Sequence, residues 1–308
     1  MVALTRALVG ILHVGEPSLA QAISSAASQE HVEATVHLIG HRPKWDAHHE
    51  LFEYFSSAGR DFDLLVKLDA DMELLHPRLL AASGDLFARH DRVDHIILGV
   101  DDWLSGERIM GMSIWRGGVF WKAPPPDLFT DMAPSSARDR LKLIDLGRPL
   151  IAHATSPSIV QSFRYGAHRA LKAARTRKAS RLDRLESFVR FVATNPHPAR
   201  VLALAAAEAA ILDPNVGRRF VDDVTGIDEE DESRLRDRAR HLDDLEASML
   251  SLIDGLRVES PQEASSSPAR IGLVERSRAS INRRLSAPPL DRPRLRAEFV
   301  ASLDALAD

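Results

Sequence analysis

Three apolar runs separated by segments with helical spacing occupy roughly the first seventy residues, and they limit this part of the chain to a sheet whose strands are joined by helices. The first run covers residues 7–14. The loop His13-Val-Gly-Glu-Pro17 follows, and Pro17 suits the first turn of a helix that Ser18 to Gln29 continues. Val32 to Ile39 alternates loosely and stops at Gly40, as a second strand would. Leu51, Phe52 and Phe55 then recur at helical spacing within Asp46–Ser57, and Leu64, Leu65, Val66 and Leu68 form a third, buried strand. Such steps imply parallel pairing with right-handed crossovers, and ligands of such sheets sit beyond the carboxyl ends of the strands. At that end of the third strand stands Asp69-Ala-Asp71.

Two ionised carboxylates at the end of a core strand need a reason. If the extended conformation persists to Asp71, Lys67, Asp69 and Asp71 share one face, because side chains alternate along a strand. Paired hard oxygen ligands suit Mg²⁺ or Mn²⁺, which bind through one or two carboxylates plus substrate phosphates. The plainer alternative is a polar strand end opening a turn.

The chain has 308 residues and a formal charge of −4, enough for two parts with substantial cores and without the charge of a general polyanion binder. It has no cysteine, which excludes disulfides, thiolate metal sites and a cysteine nucleophile, leaves oxygen or imidazole as metal ligands, and makes the cytoplasm the default location. The apolar start, Met1 to Val14, contains Arg6 and is too short to span a bilayer, and no later segment reaches that length.

Further along, Pro77 to Arg89 reads as a helix and Val93 to Val100 as a strand ending at Asp101-Asp102-Trp103. Ile109 to Trp115 and Val119 to Trp121 read as a hairpin-like pair about Arg116-Gly-Gly118, and Lys122 to Ala137 as a loop over the same sheet edge. Leu141 to Leu146 fits helix or strand. Pro149 to His153 is a last short strand, and Ser156 and Pro157 open a long helix toward Arg175. Strand signals then fade. Arg181–Val192, Ala199–Leu212 and Glu229–Leu256 carry helical spacing, so residues 179–308 are expected to form a helical region after an α/β domain over 1–178, with a flexible linker near 257–270 and a helical tail. Leu235, Leu242, Leu245, Met249 and Leu252 form a stripe able to pair within the chain or across a homodimer.

With Ser25 and Gln29 in Leu19-Ala-Gln-Ala-Ile-Ser-Ser-Ala-Ala-Ser-Gln29, and with Lys67-Leu-Asp-Ala-Asp71, residues 7–175 resemble the nucleotide-sugar-dependent glycosyltransferases of the GT-A fold, nearest to family 2. The resemblance implies a GT-A-like, mainly parallel sheet flanked by helices, and a Mn²⁺ or Mg²⁺ ion held by Asp71 with Asp69 in support. It also implies a later histidine as metal ligand, whose place His153 matches, and a nucleoside-diphosphate sugar as donor. Where many members carry an acidic residue after the second strand for the donor base and ribose, Gly40 and His41 stand here.

Moving a glycosyl group, a hexosyl group foremost, off a nucleoside diphosphate develops negative charge on the leaving phosphate, so cations should surround the site. Arg164, His168 and Lys172 share a helix face at four-residue spacing, with Arg169 adjacent, and Lys67 is near the strand end. A solvated basic face and a snorkelling lysine are the plainer accounts. The helix start at Ser156-Pro-Ser158 can also present free N–H groups to phosphate. An inverting transfer requires a carboxylate to take the acceptor's proton; Asp102, then Asp101, is the first choice, with Asp131, Asp139 and Asp145 as competitors, and a retaining transfer requires none. Trp103, Trp115 and Trp121 suit sugar stacking or the core, while His37, His48 and His49 read as surface or core groups and Glu16 as a donor contact or a helix cap. The acceptor (glycan, lipid-linked glycan, small molecule, protein or modified nucleic acid) stays open. Competing classes are a sugar-phosphate nucleotidyltransferase, a haloacid-dehalogenase-like phosphatase and a non-catalytic GT-A-like assembly module. The second expects Thr or Val where Glu73 stands, and the first a glycine-rich loop that Val14-Gly-Glu16 does not supply.

Overall fold

The computed structural model of the chain describes residues 4–121, 138–222, 227–258 and 290–305. Its first part runs β1 (Thr5–His13), α1 (Leu19–Ala27), β2 (Val32–Gly40), α2 (Lys44–Ala58), β3 (Leu64–Asp69), β4 (Met72–Leu74), α3 (Leu79–Arg89), β5 (Val93–Asp102), β6 (Glu107–Arg116), β7 (Asp139–Leu143) and β8 (Ile151–His153). The helical region follows as α4 (Ile159–Thr176), α5 (Ala179–Thr194), α6 (Pro198–Leu212), α7 (Pro214–Asp222), α8 (Glu229–Arg238), α9 (Leu242–Val258) and α10 (Arg292–Asp304). The architecture is the expected mixed α/β one, a mainly parallel sheet flanked by helices and followed by helices.

The strands form one sheet in the order β2-β1-β3-β6-β5-β8-β4, with β7 also on β5. Pairing is parallel at β1–β2, β1–β3, β5–β7 and β5–β8, and antiparallel at β3–β6, β5–β6 and β4–β8. Alternation along β1 and β3 serves both faces. Ala7, Val9, Ile11, Leu64 and Val66 join one core with residues of α1 and α3, while Leu8 and Leu65 join another with Leu51, Phe52 and Phe55 of α2. β5 is long enough to share one edge between two partners, its first half pairing with β7 and its last two residues with β8. Gly99 marks the changeover, because a Cβ there would lie 1.9 Å from the carbonyl oxygen of Ile144 as the chain leaves β7.

Several local expectations change. Val119 to Trp121 is no strand: β6 pairs with β5 and β3 instead, and Trp121 stacks on Phe52 while its backbone N–H donates to Ser56 Oγ at 3.1 Å. Leu141 falls in strand β7, and the three-residue β4 escapes periodicity altogether. Ser158, rather than Ser156, caps α4, through a capping box with Gln161. Glu229–Leu256 breaks into α8 and α9, and α7 precedes them. The expected loop over 122–137 and the linker at Ser260–Pro268 lie outside the described residues, as does Asp131.

In the helical region α6 is largely apolar, and Val201 to Ala207 are buried at its centre. Gly166 lets α4 cross it closely: a Cβ would meet the Ala203 carbonyl at 1.7 Å. The leucine stripe is spent inside the chain, with Leu235, Leu245 and Met249 buried in the helical core and Leu242 and Leu252 packed against it. The last helix departs from the expected division at residue 178. Leu295, Phe299 and Leu303 of α10 are buried in the α/β core, while Arg89 Nη2 donates to Ser302 Oγ and His90 pairs with Glu298 at 2.6 Å.

Phe299→Ala is expected to destabilise the α/β part by about 3–5 kcal/mol, the cost of emptying a fully buried aromatic site. Urea unfolding followed by tryptophan fluorescence measures it; an unchanged midpoint would remove α10 from that core.

Candidate active-site cleft

A cleft of about 350 Å³ opens at the carboxyl edge of β1 and β3 and is closed on one side by α4. Lys67, Asp69, Asp71, His153, Arg164, His168 and Lys172 all line it, so most of the residues singled out from sequence converge there. Asp101 and Asp102 do not.

The two aspartates of Asp69-Ala-Asp71 are separated by a turn. Extended conformation stops at Asp69, so the expected common face holds only for Lys67 and Asp69, whose Nζ and Oδ1 are 3.1 Å apart. Asp71 lies past the turn, on the approach to β4, and faces His153 instead, with Oδ2 3.4 Å from Nε2. Sheet register brings this about. In the three-residue strand β8, His153 pairs with Asp102 of β5 on one side and with Met72 of β4 on the other. The Ala154 N–H donates to the Asp71 carbonyl, and the Trp103 N–H to the His153 carbonyl. His153 Nδ1 is 2.8 Å from Asp102 Oδ1, so one imidazole spans two carboxylates.

Behind His153 the polar groups form a closed network. Asp102, with a side chain 0% exposed, accepts from His153 Nδ1, from the Ser105 N–H at 3.2 Å, from Ser105 Oγ and from Tyr165 Oη. Tyr165 Oη in turn accepts from Arg169 Nη1, and Arg169 Nη2 lies 3.4 Å from Glu107 Oε2. Asp102 therefore sits beneath the cleft with its acceptor positions filled. That placement does not suit the base expected from sequence, which must reach an acceptor hydroxyl. Asp101 is drawn away by Arg108, at 2.6 Å, and Asp145 by the same arginine; Asp139 is paired with Arg92.

Burial alone would push Asp71 and Asp102 up and His153 down. Their mutual attraction outweighs it: both carboxyls are held below the usual carboxylate range, Asp102 with help from Ser105 and Tyr165, and His153 is raised well above its ordinary value. Tyr165 is raised by burial and by the Asp102 charge, against the pull of Arg169, and stays a neutral donor.

Two residues of the cleft could contribute donors to a divalent ion. Asp71 and His153 present a hard oxygen and an imidazole nitrogen across 3.4 Å, and among the described residues no group of three or more His, Cys, Asp or Glu side chains is placed to hold a metal ion by itself. Asp69 also lines the cleft but leans on Lys67.

Sequence reasoning missed Gln161, Tyr165 and Arg42, which also line the cleft, as does His48, read from sequence as a surface or core group. The first two were within reach, because residues 161, 165, 168 and 172 recur every three or four positions on the α4 face already marked by Arg164. Ser25 and Gln29 prove to be braces. Ser25 Oγ accepts from the Leu74 N–H, and Gln29 accepts from the Leu80 N–H while donating to the His76 carbonyl, which pins β4 and the start of α3. Glu16 accepts from the Val14 N–H at 2.7 Å rather than capping α1. His37 stacks on Tyr54, and His49 pairs with Glu53. Trp115 is core, and Trp103 lies under the Arg200 guanidinium, 4.1 Å from its ring centre.

Stability without metal should depend on pH from both sides. The carboxylate contribution is present above the unfolded value near ~3.9 and lost as pH falls through the lowered folded values; the His153 contribution is complete below ~6.5 and lost as pH rises through its raised folded value. Chemical unfolding from pH 6 to 10 should show declining stability, and His153→Gln should flatten that slope.

No protein-family model matches the chain, and no curated protein matches it. Among solved structures it is similar to the crystal structure of S. aureus TarS, with a TM-score of 0.33 and 12% identity, over 82% of this chain and 55% of that one. The chain thus spans about half the length of that protein, and a likeness of this degree carries no argument about the reaction. Among the described residues no helix is long and apolar enough to cross a membrane.

Proposed function

We propose that the cleft transfers a glycosyl group from a nucleoside-diphosphate sugar to an acceptor hydroxyl, with a divalent ion as cofactor. The observation that carries this reading is the Asp71–His153 pair at the carboxyl edge of the sheet, facing a cleft that Lys67, Arg164, His168 and Lys172 also line. Asp71 and His153 would hold the ion, with Asp69 nearby; when bound, it supplies Lewis-acid stabilisation to the diphosphate. The chain's own groups do the remaining work. Arg164 and Lys172 on α4, and Lys67 at the strand end, bind phosphate oxygens and stabilise the charge that develops as the glycosyl–oxygen bond breaks. His168 adds a further donor on the same face. Helix α4 walls one side of the cleft, whose volume of about 350 Å³ lies within the range of small-molecule sites. Neither Asp101 nor Asp102 faces the cleft, and we assign neither to proton abstraction.

A panel of nucleotide sugars with Mn²⁺ or Mg²⁺, read by calorimetry and by release of nucleoside diphosphate, tests the reading. Asp71→Asn is expected to lower turnover by about 10²-fold or more, and Lys172→Ala to weaken donor binding with metal binding intact. Turnover unchanged in Asp71→Asn overturns the assignment; donor and metal binding without turnover on any acceptor favours a binding module.

A further inference from the structure

Asp102 holds four hydrogen-bond donors, two of them on the cleft-lining residues His153 and Tyr165, yet does not itself line the cleft. We infer that Asp102 is the positioning residue of His153: it fixes the proton on Nδ1 and thereby reserves Nε2 as the atom offered toward Asp71 and the cleft. The inference deepens the function proposed above and rests on it where the divalent ion is concerned.

The argument is geometric. An ionised carboxylate only accepts hydrogen bonds, so the 2.8 Å contact between Asp102 Oδ1 and His153 Nδ1 requires the proton on Nδ1. Nε2 is then the nitrogen that faces Asp71 Oδ2, 3.4 Å away. The carboxylate cannot turn away, because its second oxygen is held from three directions by the Ser105 N–H, Ser105 Oγ and Tyr165 Oη. Two of these donors belong to the turn after β5, and the third reaches in from α4. Tyr165 is fixed in its turn by Arg169, whose guanidinium also lies 5.3 Å from the Tyr165 ring centre. Backbone pairing supports the same arrangement, since Asp102 and His153 are register partners in adjacent parallel strands. His153 would offer a divalent ion its Nε2 lone pair once that nitrogen had given its proton to solvent, while Asp102 would keep the other proton on Nδ1. Outer groups of this kind orient a ligating imidazole and set its affinity.

Asparagine at position 102 separates this role from simple space filling. Its amide N–H can donate to Nδ1, which would move the imidazole proton to Nε2 and block that atom. Nitrogen-15 NMR of histidine-labelled protein reads the tautomer directly, and Mn²⁺ titration followed by electron paramagnetic resonance reads affinity. In wild-type protein Nδ1 should keep its proton after His153 becomes neutral. Asp102→Asn should shift the proton to Nε2 and weaken Mn²⁺ binding by about 10–100-fold. Tyr165→Phe should keep the tautomer and weaken Mn²⁺ by a smaller factor, and it serves if the buried asparagine variant does not fold. A neutral wild-type His153 with its proton on Nε2 overturns the inference, as does Mn²⁺ affinity unchanged in both variants. Wild-type protein with the Nδ1 proton but no Mn²⁺ uptake upholds the hold of Asp102 on His153 and sinks the divalent-ion reading alone.

Discussion

One imidazole between two carboxylates determines how the edge of the sheet is built. His153 comes from a strand of three residues, which has little pairing energy of its own, and it is held by Asp102 on one side and Asp71 on the other. A charged group buried in this way is tolerated only while its partners are present, and removing one partner of a buried pair typically costs about 3–5 kcal/mol. The trio therefore ties three neighbouring strands together and gives β4, β8 and the end of β5 a single arrangement. The same constraint that stabilises the edge points one nitrogen toward the cleft.

Helix α4 is the second organising element, because it belongs to two structures at once. One face packs against α6 through Gly166, and another carries Gln161, Arg164, Tyr165, His168 and Lys172 into the cleft wall. Tyr165 reaches Asp102, and from α6 Arg200 donates to the Trp103 carbonyl at 3.0 Å. The helical region is thus a buttress for the turn between β5 and β6. A shift of α4 against the sheet would move the cationic wall and loosen the carboxylate behind His153 together.

Much of this was legible in the chain itself. Period-two and helical spacings placed β1, β2, β3, α1 and α2 within a few residues, and the rule that ligands gather at strand carboxyl ends marked Asp69 and Asp71; the resemblance to the GT-A glycosyltransferases added His153, and the charge on a leaving phosphate added the basic α4 face. What stayed hidden depends on partners distant in sequence. That Asp102 lies beneath the cleft follows from its register against β8, fifty-one positions on, and no local pattern encodes that pairing. The separation of Asp69 from Asp71 depends on a turn forced by β4, whose three residues are too few for a period. Leu295, Phe299 and Leu303 are spaced like any amphipathic helix, and nothing in that spacing names the surface they cover.

The return of α10 to the α/β core bears on how the protein is made. The contact between Arg89 and Ser302 spans 213 positions, so the core begun by the first strands is finished only after every helix between has been synthesised. At about 5–20 residues per second, the ribosome holds an unsealed apolar face on α3 for many seconds. Such long-range closure raises contact order and slows the last docking step. Until α10 is made, the apolar face it covers on α3 stays open to non-native contacts, long after the sheet has begun to form.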